Sequence, residues 1–275
     1  MADQPTLVLG GTGKTGRRIV QRLTRRNLAV RVGTRSGGVP FDWADRRTWA
    51  PALDGVGAVY ISYYPDIAAP GAAEAVAEFA RLALRSGVRR QVLLSGRGEE
   101  RARQAEQAVR DAGGDVTVVR CAWFAQNFSE DFLLDPVLAG EVALPAGEVA
   151  EPFVDADDIA DVVVAALTED GHTGQLYELT GPRLLTFAEA VGEIAAAIGR
   201  HISYVPVTVE QYAQAATEHG VPADVVAALS HVFGEVLDGR NAHLTDGVQR
   251  ALGRPPRDFA DFARQTAASG VWNPR

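Results

Sequence analysis

A glycine-rich stretch near the start of the chain carries the first recognisable chemistry. Gly11-Thr12-Gly13-Lys14-Thr15-Gly16 fits the spacing GxGxxG, and Gly10, Gly13 and Gly16 also stand three residues apart. Three physical demands explain such a loop. Its first glycines permit a tight turn, its middle one lets the backbone approach a pyrophosphate, and its last lets a helix pack on a strand. The stretch follows the apolar run Thr6-Leu7-Val8-Leu9. It opens residues 14–26, where Ile19, Val20 and Leu23 lie on one side among Arg and Gln. A helix starting there offers free N–H groups and the positive end of its dipole to an anion. Gly13-Lys14-Thr15 also looks like the end of a P-loop. That motif needs Gly five residues before Gly13, and the residue there is Val8. The pattern points to a bound dinucleotide.

The second strand should end in an acid if the ribose hydroxyls of NAD are to be held. The chain reads Arg31-Val32-Gly33-Thr34-Arg35-Ser36 there, with no acid. Arg35 can pair a 2′-phosphate through its guanidinium, and Ser36 can donate a hydrogen bond to it. Lys14 and Arg17 add charge. The expected cofactor is therefore NADP(H); the plainer reading of Arg35 is a solvated surface arginine. Asp42 and Trp43 follow at the next turn and can flank the adenine, with core packing an equal reading for Trp43.

The elements that must position these residues alternate in type. Strand-like runs at residues 6–9, 28–32, 58–62, 91–94 and 116–119 alternate with helical patterns at 14–26, 46–53, 70–86 and 99–112. Repeated βα units of this length predict an α/β fold, a parallel sheet with helices on both faces. Beyond Arg120 the spacing predicts helices over 125–138, 157–167 and 186–199, with Thr186 and Glu189 at capping-box spacing. Short strands are expected at 142–147 and 175–179. Residues 1–130 are expected to bind the dinucleotide. Residues 131–275 are expected to form a smaller, mostly helical region, interleaved with the first and covering the sheet's carboxyl edge.

Composition narrows the partners. The 275 residues are 47% hydrophobic and 23% charged, an ordinary globular balance. A net charge of −8 argues against a nucleic-acid surface. Cys121 is the only cysteine, so no internal disulfide and no cysteine zinc cage can form. The five His show no metal-ligand spacing, and no metal is expected. No window of 18 apolar residues and no secretory leader pattern is visible, so no membrane partner and a cytoplasmic location are expected. A homo-oligomer is left open.

The loop Gly10 to Gly16, the turn Thr34-Arg35-Ser36, Leu94-Ser95-Gly96, and Arg120 with Trp123-Phe124 and Gln126-Asn127-Phe128 together resemble NmrA-like proteins. These are atypical short-chain dehydrogenases/reductases. Pro152-Phe153-Val154-Asp155, Asp157-Asp158-Ile159-Ala160 and Tyr177-Glu178-Leu179-Thr180-Gly181-Pro182 extend the resemblance over nearly the whole chain, nearest to the branch of ergot-alkaloid reductases and their bacterial relatives. The resemblance implies a Rossmann fold, NADP(H), and a substrate cleft roofed by the C-terminal region. It implies either a reductase, with a place in secondary metabolism, or a non-catalytic redox sensor that binds dinucleotide.

Ordinary members of that superfamily carry Ser at a strand end and Tyr-x-x-x-Lys on the next helix. Ser95 holds the strand end, but residues 99–110 contain neither Tyr nor Lys, and Lys14 is the only lysine of the chain. Hydride transfer needs only a positioned cofactor and an electrophile. Loss of a general acid, worth about 10²–10⁴ in rate, disfavours simple ketones. A flat, apolar small molecule is expected as substrate: an iminium, a quinone or an enone-like acceptor. Ser62, Tyr63 and Tyr64 end the strand AVYIS. Ser62 is expected on the cofactor side, and Tyr63 or Tyr64 as proton donor, substrate contact or packing. Ser95 either bonds substrate or ribose or caps a turn. Trp123, Phe124, Asn127 and Phe128 are expected in the substrate pocket, with core packing of at least two of the rings the alternative. Cys121 reads as a small buried hydrophobe. Asp155, Asp157 and Asp158 read as helix-start carboxylates.

Overall fold

The computed structural model describes residues 4–273. The chain begins with β1 (Thr6–Leu9), α1 (Lys14–Arg25), β2 (Val30–Gly33), α2 (Trp49–Leu53), β3 (Ala58–Ile61), α3 (Ala72–Arg85), β4 (Arg90–Gly96), α4 (Glu100–Asp111) and β5 (Asp115–Cys121). It continues with α5 (Asn127–Glu130), α6 (Leu134–Ala139), β6 (Glu141–Leu144), β7 (Ala150–Glu151), α7 (Ala156–Thr168) and β8 (Leu176–Leu179). The remainder holds β9 (Leu185–Thr186), α8 (Phe187–Ile198), β10 (Ser203–Pro206), α9 (Val209–Glu218), α10 (Ala223–Val236), α11 (Gly247–Leu252) and α12 (Phe259–Ser269).

These elements form two compact units. The first comprises residues 1–121, 156–179 and 246–255, and the second residues 122–155, 180–245 and 256–275. In the first, six strands form one sheet in the order β2-β1-β3-β4-β5-β8. Every pairing in it is parallel. This is the expected Rossmann-type α/β fold. All four residues of β1 and of β3 are buried, because a parallel sheet is covered on both faces. Just after β2 an isolated parallel bridge pairs Thr34 with Pro40. Phe41, Trp43, Trp49 and Phe79 pack edge to face or stacked beneath that corner. Helix α1 is pinned to α7 by Arg22, which donates to Asp157 at 2.7 Å and Asp161 at 2.6 Å. Asp158, fully buried, pairs with Arg254 at 2.7 Å. Asp157 and Asp158 thus anchor arginines as well as opening a helix.

The second unit has a core of aromatic rings, among them Phe128, Phe153, Phe187, Phe259 and Trp272. Two small sheets flank it: β6 beside β10, parallel, and β7 against β9, antiparallel. The capping box at α8 forms as its spacing predicts: Glu189 N–H donates to Thr186 Oγ1 at 3.1 Å, and Thr186 N–H to Glu189 Oε2 at 2.8 Å. The single helix expected over 125–138 is instead two short ones, α5 and α6. Between them Asp131 is extended, and its Oδ1 accepts the N–H of Phe132 at 2.9 Å. That local bond competes with helix continuation. Strand β10 was not expected from sequence; Pro206 reads as a breaker, yet it is tolerated as the last residue of an edge strand. Among the described residues, no helix is long and apolar enough to cross a membrane.

Candidate functional site

The glycine loop joins β1 to α1. Gly10 takes φ +63°, the left-handed region that glycine enters without a Cβ penalty. Gly16 is required by close approach: a Cβ there would stand 2.1 Å from the Gly10 carbonyl oxygen. At Gly11 it would stand 2.7 Å from Val32 Cγ1. The chain itself therefore demands glycine at these three positions. Gly13 differs. Its φ is −76°, open to any residue, and a Cβ would meet only the Gly10 oxygen, at 3.3 Å. Gly13 is also the N-cap of α1, and no side chain caps that end. An uncapped helix N-terminus beside an open backbone is the cradle a pyrophosphate requires. The residues present fit a dinucleotide.

Thr12 and Gly13 are exposed at the tip, and Lys14 is half-buried at the first helical position. Thr15 faces inward: its Oγ1 lies 2.8 Å from the Oη of Tyr60 on β3. Only its backbone remains for a ligand. Burial pushes the Tyr60 phenol well above its usual pKa, so it stays protonated and ties the loop to the sheet.

The end of β2 carries no acid. Arg35 and Ser36 are exposed, and the Arg35 guanidinium lies 5.8 Å from the ring centroid of Tyr64. Asp42 shapes its own turn: Oδ1 accepts the Ala44 N–H at 3.0 Å, and its carbonyl accepts Trp49 Nε1–H at 2.9 Å. Trp43 is half-buried in the ring cluster and donates Nε1–H to the Ser62 carbonyl at 3.0 Å. It holds the end of β3 in place. Ser62 abuts the loop, since a Cβ on Gly10 would lie 3.7 Å from its Oγ. Tyr63 leans on Trp43 with centroids 4.9 Å apart.

At the end of β4 the geometry departs from expectation. Ser95 is buried and donates Oγ–H to Glu106 Oε1 at 2.6 Å. Arg120 on β5 grips Glu106 through two hydrogen bonds, 2.9 and 2.6 Å, and reaches Glu178 on β8 at 3.0 Å. Glu178 in turn accepts from Arg97 at 2.7 Å, whose side chain is 2% exposed. The hydrogen bond to Glu106 raises the Arg120 pKa beyond its usual high value. Ser95 therefore serves an interior charge network, and its hydroxyl proton is already committed. Sequence reasoning missed this network. One signal was present: Glu106 lies on the buried stripe of α4 with Ala102, Ala105 and Val109, and a carboxylate there needs a buried partner.

In the second unit Trp123 is half-buried, stacked on Phe233 at 6.0 Å and edge-on to Phe187 at 5.6 Å. Its buried Nε1–H has no partner among the described residues. Phe124 and Asn127 are half-buried. Phe128 is fully buried among Phe153, Phe187 and Phe259, so it is interior packing and lines no surface. Asp155 Oδ1 accepts from Gln126 at 2.8 Å. In the first unit, burial raises the Cys121 thiol pKa, as befits a small hydrophobe. No cluster of His, Cys, Asp and Glu suited to a metal occurs among the described residues.

No family profile matches the chain. Relatives do. It is 33% identical to the NAD(P)H azoreductase of Xenophilus azovorans, over 96% of this chain and 98% of that protein. It is 31% identical to the agroclavine dehydrogenase of Claviceps fusiformis, over 97% and 98%. Two solved structures share the fold: the Escherichia coli NADPH-dependent quinone oxidoreductase QOR2 in complex with NADPH, at TM-score 0.79, 19% identity and coverage of 94% and 99%, and the negative transcriptional regulator NmrA, at 0.71, 17%, and 98% and 99%. With the glycine cradle on a parallel six-stranded sheet, these likenesses settle the family: the chain is an oxidoreductase-type, NAD(P)-binding member of the NmrA-like atypical short-chain dehydrogenases/reductases.

Proposed function

We propose that the protein is an NADP(H)-dependent reductase of a flat, apolar acceptor, a quinone or an iminium, that needs no protein-borne acid. The observation that carries this is the end of β4. Ser95 donates to Glu106, Glu106 is held by Arg120, and the chain's single lysine lies in the glycine loop. No Tyr–Lys pair can supply a proton to an alkoxide. A quinone leaves an oxygen that solvent can protonate, and an iminium becomes a neutral amine.

The cofactor supplies the hydride. The chain's part is to hold it: backbone N–H groups of residues 11–16 for the pyrophosphate, Arg35 and Ser36 for the 2′-phosphate, and Ser62 beside the loop. The azoreductase and the agroclavine dehydrogenase among the relatives support such an acceptor.

The test is NADPH oxidation with a naphthoquinone, a cyclic iminium and a matched plain ketone. The first two should be reduced at least about 100-fold faster in kcat/KM than the ketone. Fast ketone reduction that collapses in Tyr63→Phe would reveal a dedicated tyrosine acid and defeat this reading. Tight NADPH binding with no oxidation by any acceptor would favour a sensor.

A further inference from the structure

Tyr64 is the one large aromatic residue of the first unit that stands in solvent among the described residues, 70% exposed. An exposed ring at the carboxyl edge of an α/β sheet lies where ligands bind. The Arg35 guanidinium sits over the ring at 5.8 Å. Arg35 has no carboxylate partner among the described residues. The two come from different loops, after β2 and after β3, the strands that flank β1 on either side. They therefore meet beside the mouth of the glycine loop.

The end of the second strand is the adenosine end of a dinucleotide site, because the ribose 2′ position is read there. A side chain touching Arg35 is within reach of the adenine. A base between two planar groups needs about 3.5 Å on each face, roughly 7 Å in all. The pair stands at 5.8 Å, so a long, exposed arginine has to lift by only about 1 Å to admit it.

We propose that Tyr64 is the stacking platform for the adenine base, which enters between its ring and the Arg35 guanidinium, rather than a proton donor or a substrate contact. Arg35 then covers the outer face of the base while its N–H groups turn to the 2′-phosphate. The inference rests on the dinucleotide reading and gives the two residues different signatures. The base is common to both cofactors, so loss of the Tyr64 ring weakens NADPH and NADH by the same factor. The phosphate is not, so loss of Arg35 weakens NADPH more.

The experiment is calorimetric titration of NADPH, NADH, 2′,5′-ADP and nicotinamide mononucleotide into the full chain and its Tyr64→Ala, Tyr64→Phe and Arg35→Ala variants. Circular dichroism confirms folding, which a residue this exposed should not disturb. Aromatic stacking on a base supports a loss of about 10-fold in Tyr64→Ala for both dinucleotides and for 2′,5′-ADP. Nicotinamide mononucleotide should be unaffected, and Tyr64→Phe should bind as the parent does. Unchanged 2′,5′-ADP binding in Tyr64→Ala overturns the proposal, as does an equal loss in Tyr64→Phe or a loss confined to NADPH. Failure of the parent chain to bind either dinucleotide overturns the cofactor reading itself, an outcome separate from those.

Discussion

Two glycines three residues apart should respond in opposite ways to the same added methyl group. At Gly16 a Cβ would lie 2.1 Å from the Gly10 oxygen, 2.7 Å from its carbonyl carbon and 2.8 Å from Gly11 Cα, all backbone atoms. Backbone cannot swing aside as a side chain can, so loop and helix must part by roughly 1 Å or more. Overpacking of this kind costs about 1–3 kcal/mol. Alanine's better helix propensity offsets up to about 1 kcal/mol of that. The net loss in Gly16→Ala should be about 1–2 kcal/mol, a fall in Tm of roughly 2–8 °C for a chain of this size. Gly13→Ala meets only one atom, at 3.3 Å, and its φ of −76° suits alanine. Its Tm should stay within about 2 °C of the parent. Its methyl enters the space left for the pyrophosphate, so NADPH affinity should fall by about 10-fold or more. Scanning calorimetry and NADPH titration measure both quantities. A Gly16→Ala protein as stable as the parent, or a Gly13→Ala protein that binds NADPH normally, would refute the reasoning.

Other consequences can be measured directly. Arg35→Ala should weaken NADPH by about 10-fold, at 1.5–3 kcal/mol per charged hydrogen bond, and change NADH much less; equal losses would assign Arg35 another task. Glu106→Gln leaves Arg120 with Glu178 alone in a largely buried setting, and urea unfolding should show about 2–4 kcal/mol lost. An unchanged midpoint would mean that the network is solvated in solution. The hydrogen bond from Arg183 holds Asp258 below its usual 3.8, so its contribution is present above that value and is lost as pH falls through the lower folded pKa. Asp258→Asn should flatten the acid limb of a stability–pH curve below about pH 4, and an unaltered limb would contradict that.

Much of the first unit was legible because its signals are local. Apolar runs of four residues, glycine stops and the βα rhythm predict the parallel sheet, and the strands fall within a residue or two of their expected places. The loop was legible for the same reason: spacing alone separates a dinucleotide fingerprint from a P-loop. What escaped was produced by distance along the chain. Ser95, Glu106, Arg120 and Glu178 come from three strands and a helix, and no short motif announces that they meet. Phe128 was open to two readings, pocket lining or core, because sequence alone cannot tell an interior ring from a surface one. The bond by which Trp43 Nε1–H fastens Ser62 was hidden by distance too, its partners 19 residues apart in the chain. The break at Asp131 was hidden because a local side-chain bond defeats an otherwise helical pattern.

The order in which the chain visits its two units has a consequence for its synthesis. The sheet's last strand, β8, arrives at residues 176–179, and α11, which closes on it, at 247–252. Gly247 lies so near β8 that a Cβ would stand 2.2 Å from the Glu178 oxygen. During translation the first unit therefore lacks its outer strand until residue 179 has been made, and lacks α11 until residue 252 has. At about 5–20 residues per second, the exposed edge of β5 must wait several seconds for its neighbour. A nascent sheet held open that long is where a chaperone would find it, and slowing the ribosome before residue 176 should tax the yield of folded protein more than slowing it afterwards.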